Sequence, residues 1–357
     1  MAPDIDSDWQ DQIAGGIGTV DALARVIRLA PGEIEGIRAA GAAYRWRITP
    51  YYAGLMDPDD PSCPIRRQAI PSIEELSDPL GIPDPLDEES RSPAPNLIRL
   101  YPDRVAWCVT GSCPVYCRFC FRRRLVGMEA GDYSDSAQAA VLEYIGKTPE
   151  IRDVLVTGGE PLLLSDGRIE QMLRNLRAIP HVEIIRIGTR VPVTLPQRIT
   201  PRLCEMLRAF HPLWVNTHFN HPRELTPLAM AACARLADAG IPLGNQSVLL
   251  KGVNDDETIM RRLVHGLLRA RVRPYYLFQC HLSKGTSHFR TAVEIGMGLV
   301  AGLQGTTTGF AVPSFVVDTP YGKVPVNPPT IVRRDDEAIY LKSFDGRIWR
   351  ELNPRQG

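Results

Sequence analysis

Three cysteines, Cys113, Cys117 and Cys120, stand in GSCPVYCRFCFRRR with the spacing C-x3-C-x2-C. Thiolates so close along one loop can converge on a soft metal centre, and Fe–S clusters and zinc both favour such ligands. Zinc would want a fourth close ligand, which the neighbouring sequence does not offer. Three cysteines suit a 4Fe–4S cluster with one iron left open to a substrate or cofactor, with zinc or merely structural thiols as the competing readings. Further along, TGGEP sets Gly158 and Gly159 before Glu160. Two glycines let a backbone approach a ligand closely, and the carboxylate can accept from an ammonium, although such a turn alone is commonplace. His218 and His221 form an H-x2-H pair without a third ligand in view, so metal is disfavoured there. Taken alone, Arg122–Arg124 reads as a solvated face, and Lys323 in GKVPV as an exposed turn tip.

These residues follow predicted strands. Short apolar, β-branched runs at 104–110, 153–157, 183–187, 213–217, 242–246 and 274–278 read as strands, with helical periodicity between them, as at Leu203, Met206, Leu207 and Phe210. The later runs recur at the length of one βα unit, and parallel strands need helical crossovers. The expected fold is therefore α/β, an open parallel β/α barrel of about six βα units over 104–304, with a doubly wound sheet as the alternative. In such a barrel the site lies at the C-terminal strand ends, where both the cysteine loop and the Gly-Gly-Glu turn fall. Residues 1–103 read as helical at 19–46 and as an extended, Pro- and Asp-rich wrapping segment from 57. Residues 305–357 contain a strand at 312–317, the turn-forming DTPYGKVPV and a strand near 338–343, and are expected to leave the barrel rhythm.

Over 357 residues, Lys+Arg and Asp+Glu both total 41, which offers no electrostatic footprint for nucleic acid or an anionic membrane. Neutrality favours self-association, so a homo-oligomer is compatible with it. No apolar run is long enough to span a membrane, and the acidic MAPDIDSDWQ lacks a signal-peptide n-region, so a cytoplasmic protein is expected. Eight unevenly spaced cysteines do not make a disulfide scaffold; Cys63, Cys108, Cys204, Cys233 and Cys280 are expected as buried thiols.

The cysteine spacing, with aromatic Phe119 before the last cysteine, resembles that of the radical S-adenosylmethionine superfamily, whose turn for the methionine amino group TGGEP resembles. WRITPYY, LYPDRV, PHVEIIRIGTR, NTHFNHP, DAGIPLGNQSVLLKGVND, RVRPYYLFQC, GFAVPSFVVD and GKVPV narrow this to a resemblance to lysine 2,3-aminomutases, running in order from about residue 8 to 352. The resemblance implies a 4Fe–4S cluster, S-adenosylmethionine and pyridoxal 5'-phosphate (PLP) on an open β/α barrel. It also implies an isomerase that moves an α-amino group to the β-carbon by a radical shift. It assigns Lys323 to PLP through its amine, Arg104 to the PLP phosphate and Tyr101 to the vicinity of that cofactor. Gly158, Gly159, Glu160, Gln246 and His218 are assigned to S-adenosylmethionine. Arg122 is assigned to the carboxylate of a small amino-acid substrate, and Asp318 with position 281 to its side chain. A cluster that must be reduced implies an electron donor such as flavodoxin or ferredoxin.

The chain departs from the family pattern where it would select its substrate. Lysine enzymes clamp the remote ammonium with two aspartates; Asp318 matches one, but His281 replaces the other. A neutral His281 still accepts from a cation, whereas an imidazolium paired with Asp318 leaves no net negative charge. Lysine is the first expectation, then arginine or another amino acid. Lysine isomerisation for attachment to elongation factor P, and a non-catalytic Fe–S protein on the same fold, are the further alternatives. Asp256 matches an internal zinc-cysteine position, so zinc is not expected; Phe119 replaces a common histidine, and the turn before Lys323 is shorter than usual.

Overall fold

The computed structural model describes residues 8–127, 133–327, 330–335 and 337–352; residues 1–7, used above for the leader reading, lie outside them. Nine strands form one sheet in chain order: β1 (Leu97–Tyr101), β2 (Arg104–Cys108), β3 (Asp153–Thr157), β4 (Ile184–Gly188), β5 (Leu213–Thr217), β6 (Leu243–Leu249), β7 (Arg273–Gln279), β8 (Ser314–Thr319) and β9 (Gly322–Pro325). Strands β2 to β8 are parallel to their neighbours, while β1 and β9 are antiparallel additions at the two edges. All six predicted strands are present, and the fold is the expected open parallel barrel.

Two expectations change. Residues 314–319 do continue the rhythm: helix Val293–Leu303 acts as another crossover, and β8 pairs parallel with β7 through Tyr276↔Ser314. The segment from 57 is also less irregular than its prolines suggest, with a helix at Pro64–Ala69 and β1 joined to β2 as a hairpin around Pro102–Asp103. A separate three-stranded sheet, Ile331–Arg334, Ala338–Lys342 and Ile348–Leu352, follows. No helix among the described residues is long and apolar enough to cross a membrane.

Alternation along the strands separates core from cavity. Val154, Val156, Ile185 and Ile187 are buried, each contributing about 1.5–3 kcal/mol, whereas Asp153, Leu155, Thr157, Arg186 and Gly188 line a cavity of about 630 Å³. The interior is held open by polar groups such as Arg186, whose Nε donates to Asp153 Oδ1 at 2.8 Å. Five of the crossover helices start on side-chain caps, from Ser134, Ser165, Thr200, Thr226 and Asp256, whereas Val293–Leu303 has none. Asp256, the position matched to a zinc cysteine, is thus a helix cap.

The edge strands β1 and β9 are bridged by a side chain. The Tyr101 hydroxyl accepts from the Lys323 backbone N–H at 2.8 Å. Gly322, at φ +121°, allows this approach, since a Cβ there would lie 2.9 Å from that hydroxyl.

Candidate active site

The cysteine loop leaves β2 and is clamped from behind by the N-terminal segment. Arg118, between the second and third cysteines, is 2% exposed and points away from the cavity. Its Nε donates to Glu75 Oε1 at 2.9 Å, its Nη1 to the Arg45 carbonyl at 3.0 Å, and its backbone N–H to the Gln68 carbonyl at 2.9 Å. Arg123 also pairs with Glu75. With the loop locked on that side, Cys113, Cys117 and Cys120 all line the cavity. The other five cysteines are buried.

The donor set suits a cluster better than a single ion. Burial, then Glu160 and the neighbouring sulfurs, push the Cys113 thiol up; burial and Cys117 push Cys120 up to about 11. The sulfurs therefore feel one another, and a cationic centre is what would hold them as thiolates. Among the described residues, no three His, Cys, Asp or Glu side chains gather as ligands of one ion.

Gly158 and Gly159 make a close approach, but to protein. Their missing Cβ atoms would lie 2.8 Å from the Thr110 carbonyl and 2.4 Å from the Ser112 carbonyl. Gly159 and Glu160 N–H groups donate to those carbonyls at 2.6 and 2.7 Å, which ties the turn to the start of the cysteine loop. Glu160 is buried and accepts from the Thr189 hydroxyl at 2.6 Å and from backbone N–H groups of Arg190 at 2.8 Å and Leu162 at 3.1 Å. Burial outweighs these donors and lifts its pKa to about 7.

His218 and His221 diverge. His218 lines the cavity against Phe119, with ring centroids 5.5 Å apart; burial pushes its pKa down to about 3, and its Nε2 has no partner among the described residues. His221 instead caps a short turn through the Arg223 N–H. Gln246 lines the cavity from β6.

The opposite wall comes from β1, β2 and the strands β7 to β9. Lys323 Nζ lies 2.9 Å from Asp318 Oδ2 and 5.5 Å from the Phe278 ring centroid. His281 Nε2 is 3.6 Å from the same carboxylate oxygen, too long for a hydrogen bond, while the ring stacks on Phe121 at 4.5 Å. Burial pushes Asp318 up, but His281 and Lys323 outweigh it, so the carboxyl sits below its usual range. Arg104 pairs with Asp103 at 2.8 Å and stacks on Tyr101 at 3.7 Å, and both Arg104 and Tyr101 line the cavity.

Arg122–Arg124 is no solvated face. Arg122 lines the cavity and donates through Nε and Nη2 to Glu88, at 3.1 and 2.8 Å, while Arg124 pairs with Asp84 at 3.0 Å. Sequence reasoning missed Glu88, whose signal is the acidic DEES run matched against RRR. It also missed Arg190, which follows β4 as the assigned residues follow other strands, and whose guanidinium reaches Cys117.

A parallel barrel open at one seam, with three cysteines after its first parallel strand and a Gly-Gly-Glu turn after its second, defines a radical S-adenosylmethionine enzyme. Residues 107–263 match the family described as "Radical SAM superfamily", which implies a 4Fe–4S cluster and S-adenosylmethionine. Residues 300–356 match the family described as "Lysine-2,3-aminomutase". The chain is 49% identical over 351 residues to an L-lysine 2,3-aminomutase of Fusobacterium nucleatum, covering 98% of this chain and 83% of that protein. It is 48% identical over 355 residues to the L-lysine 2,3-aminomutase of Clostridium subterminale, covering 98% and 85%. It is also 44% identical over 348 residues to a glutamate 2,3-aminomutase of Clostridioides difficile, covering 96% and 82%. The chain belongs to the lysine 2,3-aminomutase family of radical S-adenosylmethionine isomerases.

Proposed function

We propose that this 2,3-aminomutase uses PLP together with the cluster and S-adenosylmethionine, and acts on an amino acid with a cationic side chain, lysine first. The observation that carries the substrate is Asp318: a buried carboxylate held ionised inside the cavity, 2.9 Å from Lys323 Nζ. Bound together, the cluster and S-adenosylmethionine supply hydrogen-atom abstraction at the β-carbon, and PLP supplies an electron sink for the migrating nitrogen.

Lys323 would hold PLP. Its amine projects into the cavity from an edge strand latched by Tyr101, and Arg104, stacked on that tyrosine, stands in the same cavity as a partner for the phosphate. Once the amine is committed to the cofactor, Asp318 loses its cation and is left for that of the substrate. Arg122, oriented by Glu88 along its Nε–Nη2 edge, has no hydrogen-bond partner for Nη1 among the described residues, which suits it to the substrate carboxylate. Glu160, Gly158, Gly159, Gln246 and His218 serve S-adenosylmethionine next to the cysteines. Enclosed in the cavity, these groups would keep water from reactive species.

Glutamate fits this wall poorly. Two carboxylates about 4 Å apart repel by about 4 kcal/mol at an effective dielectric constant of 20, roughly a thousandfold in binding. The test offers lysine, arginine and glutamate separately to the reduced, PLP-loaded protein, with products identified by mass and retention against β-amino standards. β-Lysine is the expected main product. β-Glutamate with lysine inert would refute the substrate reading, and no dependence on PLP would refute its cofactor.

A further inference from the structure

Arg190 is a buried cation beside the cysteines, outside the groups proposed to bind substrate, PLP or S-adenosylmethionine. It is 8% exposed. Its Nε donates to the His218 carbonyl at 3.2 Å, and its Nη2 contacts the Tyr52 hydroxyl at 3.1 Å, Gln68 Oε1 at 2.7 Å and Glu224 Oε1 at 2.8 Å. Those partners satisfy one side of the guanidinium. Nη1 turns the other way and donates to Cys117 Sγ at 2.8 Å.

The charge is compensated but directional. Glu224 is fully buried, and its second carboxylate oxygen accepts the backbone N–H groups of Asn220 at 2.6 Å and His221 at 3.0 Å. The Arg190–Glu224 pair is therefore neutral as a whole, with its positive end on a cysteine sulfur and its negative end on the far side. Removing either partner of such a buried pair would leave an uncompensated charge. Through its backbone N–H the same residue also holds Glu160 Oε2 at 2.8 Å, so it spans the cysteine loop and the Gly-Gly-Glu turn.

We infer that Arg190 is a positioning residue that raises the reduction potential of the cluster held by Cys117, by donating to that ligand's sulfur. The inference rests on the reading of Cys113, Cys117 and Cys120 as the cluster ligands. Reduction adds one electron to the cluster. An N–H donor on a ligand sulfur and the positive end of an ion pair both favour the more negative, reduced form, and more strongly in a low-dielectric pocket than in water. The sequence Gly188-Thr189-Arg190 after β4 thus couples electron entry to the neighbouring turn: Thr189 and the Arg190 amide grip Glu160 while the side chain grips the cysteine.

The experiment is an anaerobic redox titration followed by electron paramagnetic resonance, on reconstituted wild-type protein and on Arg190→Met, Arg190→Lys and Glu224→Gln variants, with iron and sulfide counted in each. Arg190→Met is expected to shift the potential in the negative direction, and Arg190→Lys to shift it less in the same direction. Glu224→Gln, which removes the compensating negative charge and keeps the donors, is expected to shift it in the positive direction. Variants with wild-type iron content and an unchanged potential would overturn the inference while leaving the cluster intact. If Arg190→Met loses the cluster, Arg190→Lys and Glu224→Gln decide: shifts of opposite sign support the role, and shifts of the same sign refute it. Wild-type protein that takes up no four-iron cluster would sink the underlying cluster reading instead.

Discussion

The two walls of the cavity are built differently. Around the cysteines the charged groups are held from several sides: Glu75 takes both Arg118 and Arg123, Glu160 takes three donors, and the Arg190 side chain ties five groups together. Across the cavity, Lys323 is on an edge strand with its side chain 35% exposed, and one carboxylate, Asp318, faces both Lys323 and His281. The first wall is over-determined, as suits chemistry that must not vary. The second hangs on few contacts at the end of the sheet, where substitution changes the ligand and leaves the frame standing.

The largest effects should separate the two walls. Cys117→Ala should abolish cluster assembly and reductive cleavage of S-adenosylmethionine, read as iron content and released 5'-deoxyadenosine. Lys323→Ala should eliminate retained PLP absorbance and all aminomutase turnover, while iron content stays at the wild-type level; a parallel loss of iron would show that the walls are not independent. Next comes stability: Glu88→Ala strands Arg122, and breaking a buried pair costs about 3–5 kcal/mol, measurable by denaturant unfolding. A loss below about 1 kcal/mol would show that Arg122 does not depend on Glu88.

A smaller change is expected at the substrate wall. His281→Asp adds a second carboxylate beside Asp318 and should raise kcat/KM for lysine relative to its uncharged isostere norleucine, by about tenfold if one extra charge contributes about 1.4 kcal/mol. An unchanged ratio would remove His281 from the substrate's reach. The mildest effect is in pH. Because burial raises Glu160 to about 7, its neutral form is favoured on folding; that contribution is complete below the ordinary carboxylate range and is lost as pH rises through about 7. An ammonium ligand favours the charged form, so S-adenosylmethionine should bind more tightly as pH rises through about 7. Calorimetry on Glu160→Gln should show that dependence flattened.

What was legible in the sequence follows the same division. The strands from 104 to 279 announce themselves because β-branched runs alternate with helical periodicity, and the cysteine spacing and Gly-Gly-Glu turn lie at their ends. A strand over 312–317 is legible, but its place in the barrel as β8 is not, because the preceding helix Val293–Leu303 is apolar nearly all round and interrupted by three glycines, so it carries little amphipathic pattern. β1 was masked by the prolines around it. The bracing residues Glu75, Glu88 and Arg190 were invisible for another reason: each acts on a partner far along the chain, and an isolated acid or arginine reads as surface until the fold brings that partner to it. Gly158 and Gly159 do admit a close neighbour, and in the structure that neighbour is the start of the cysteine loop.

The most direct test of the whole account gives the reduced protein, loaded with cluster, S-adenosylmethionine and PLP, lysine labelled with 15N at its α-nitrogen, and follows the label by NMR. The 15N signal is expected to move from C2 to C3 of the same molecule, with no exchange into solution. Label that stays on C2 while glutamate is converted to its β-isomer would contradict it.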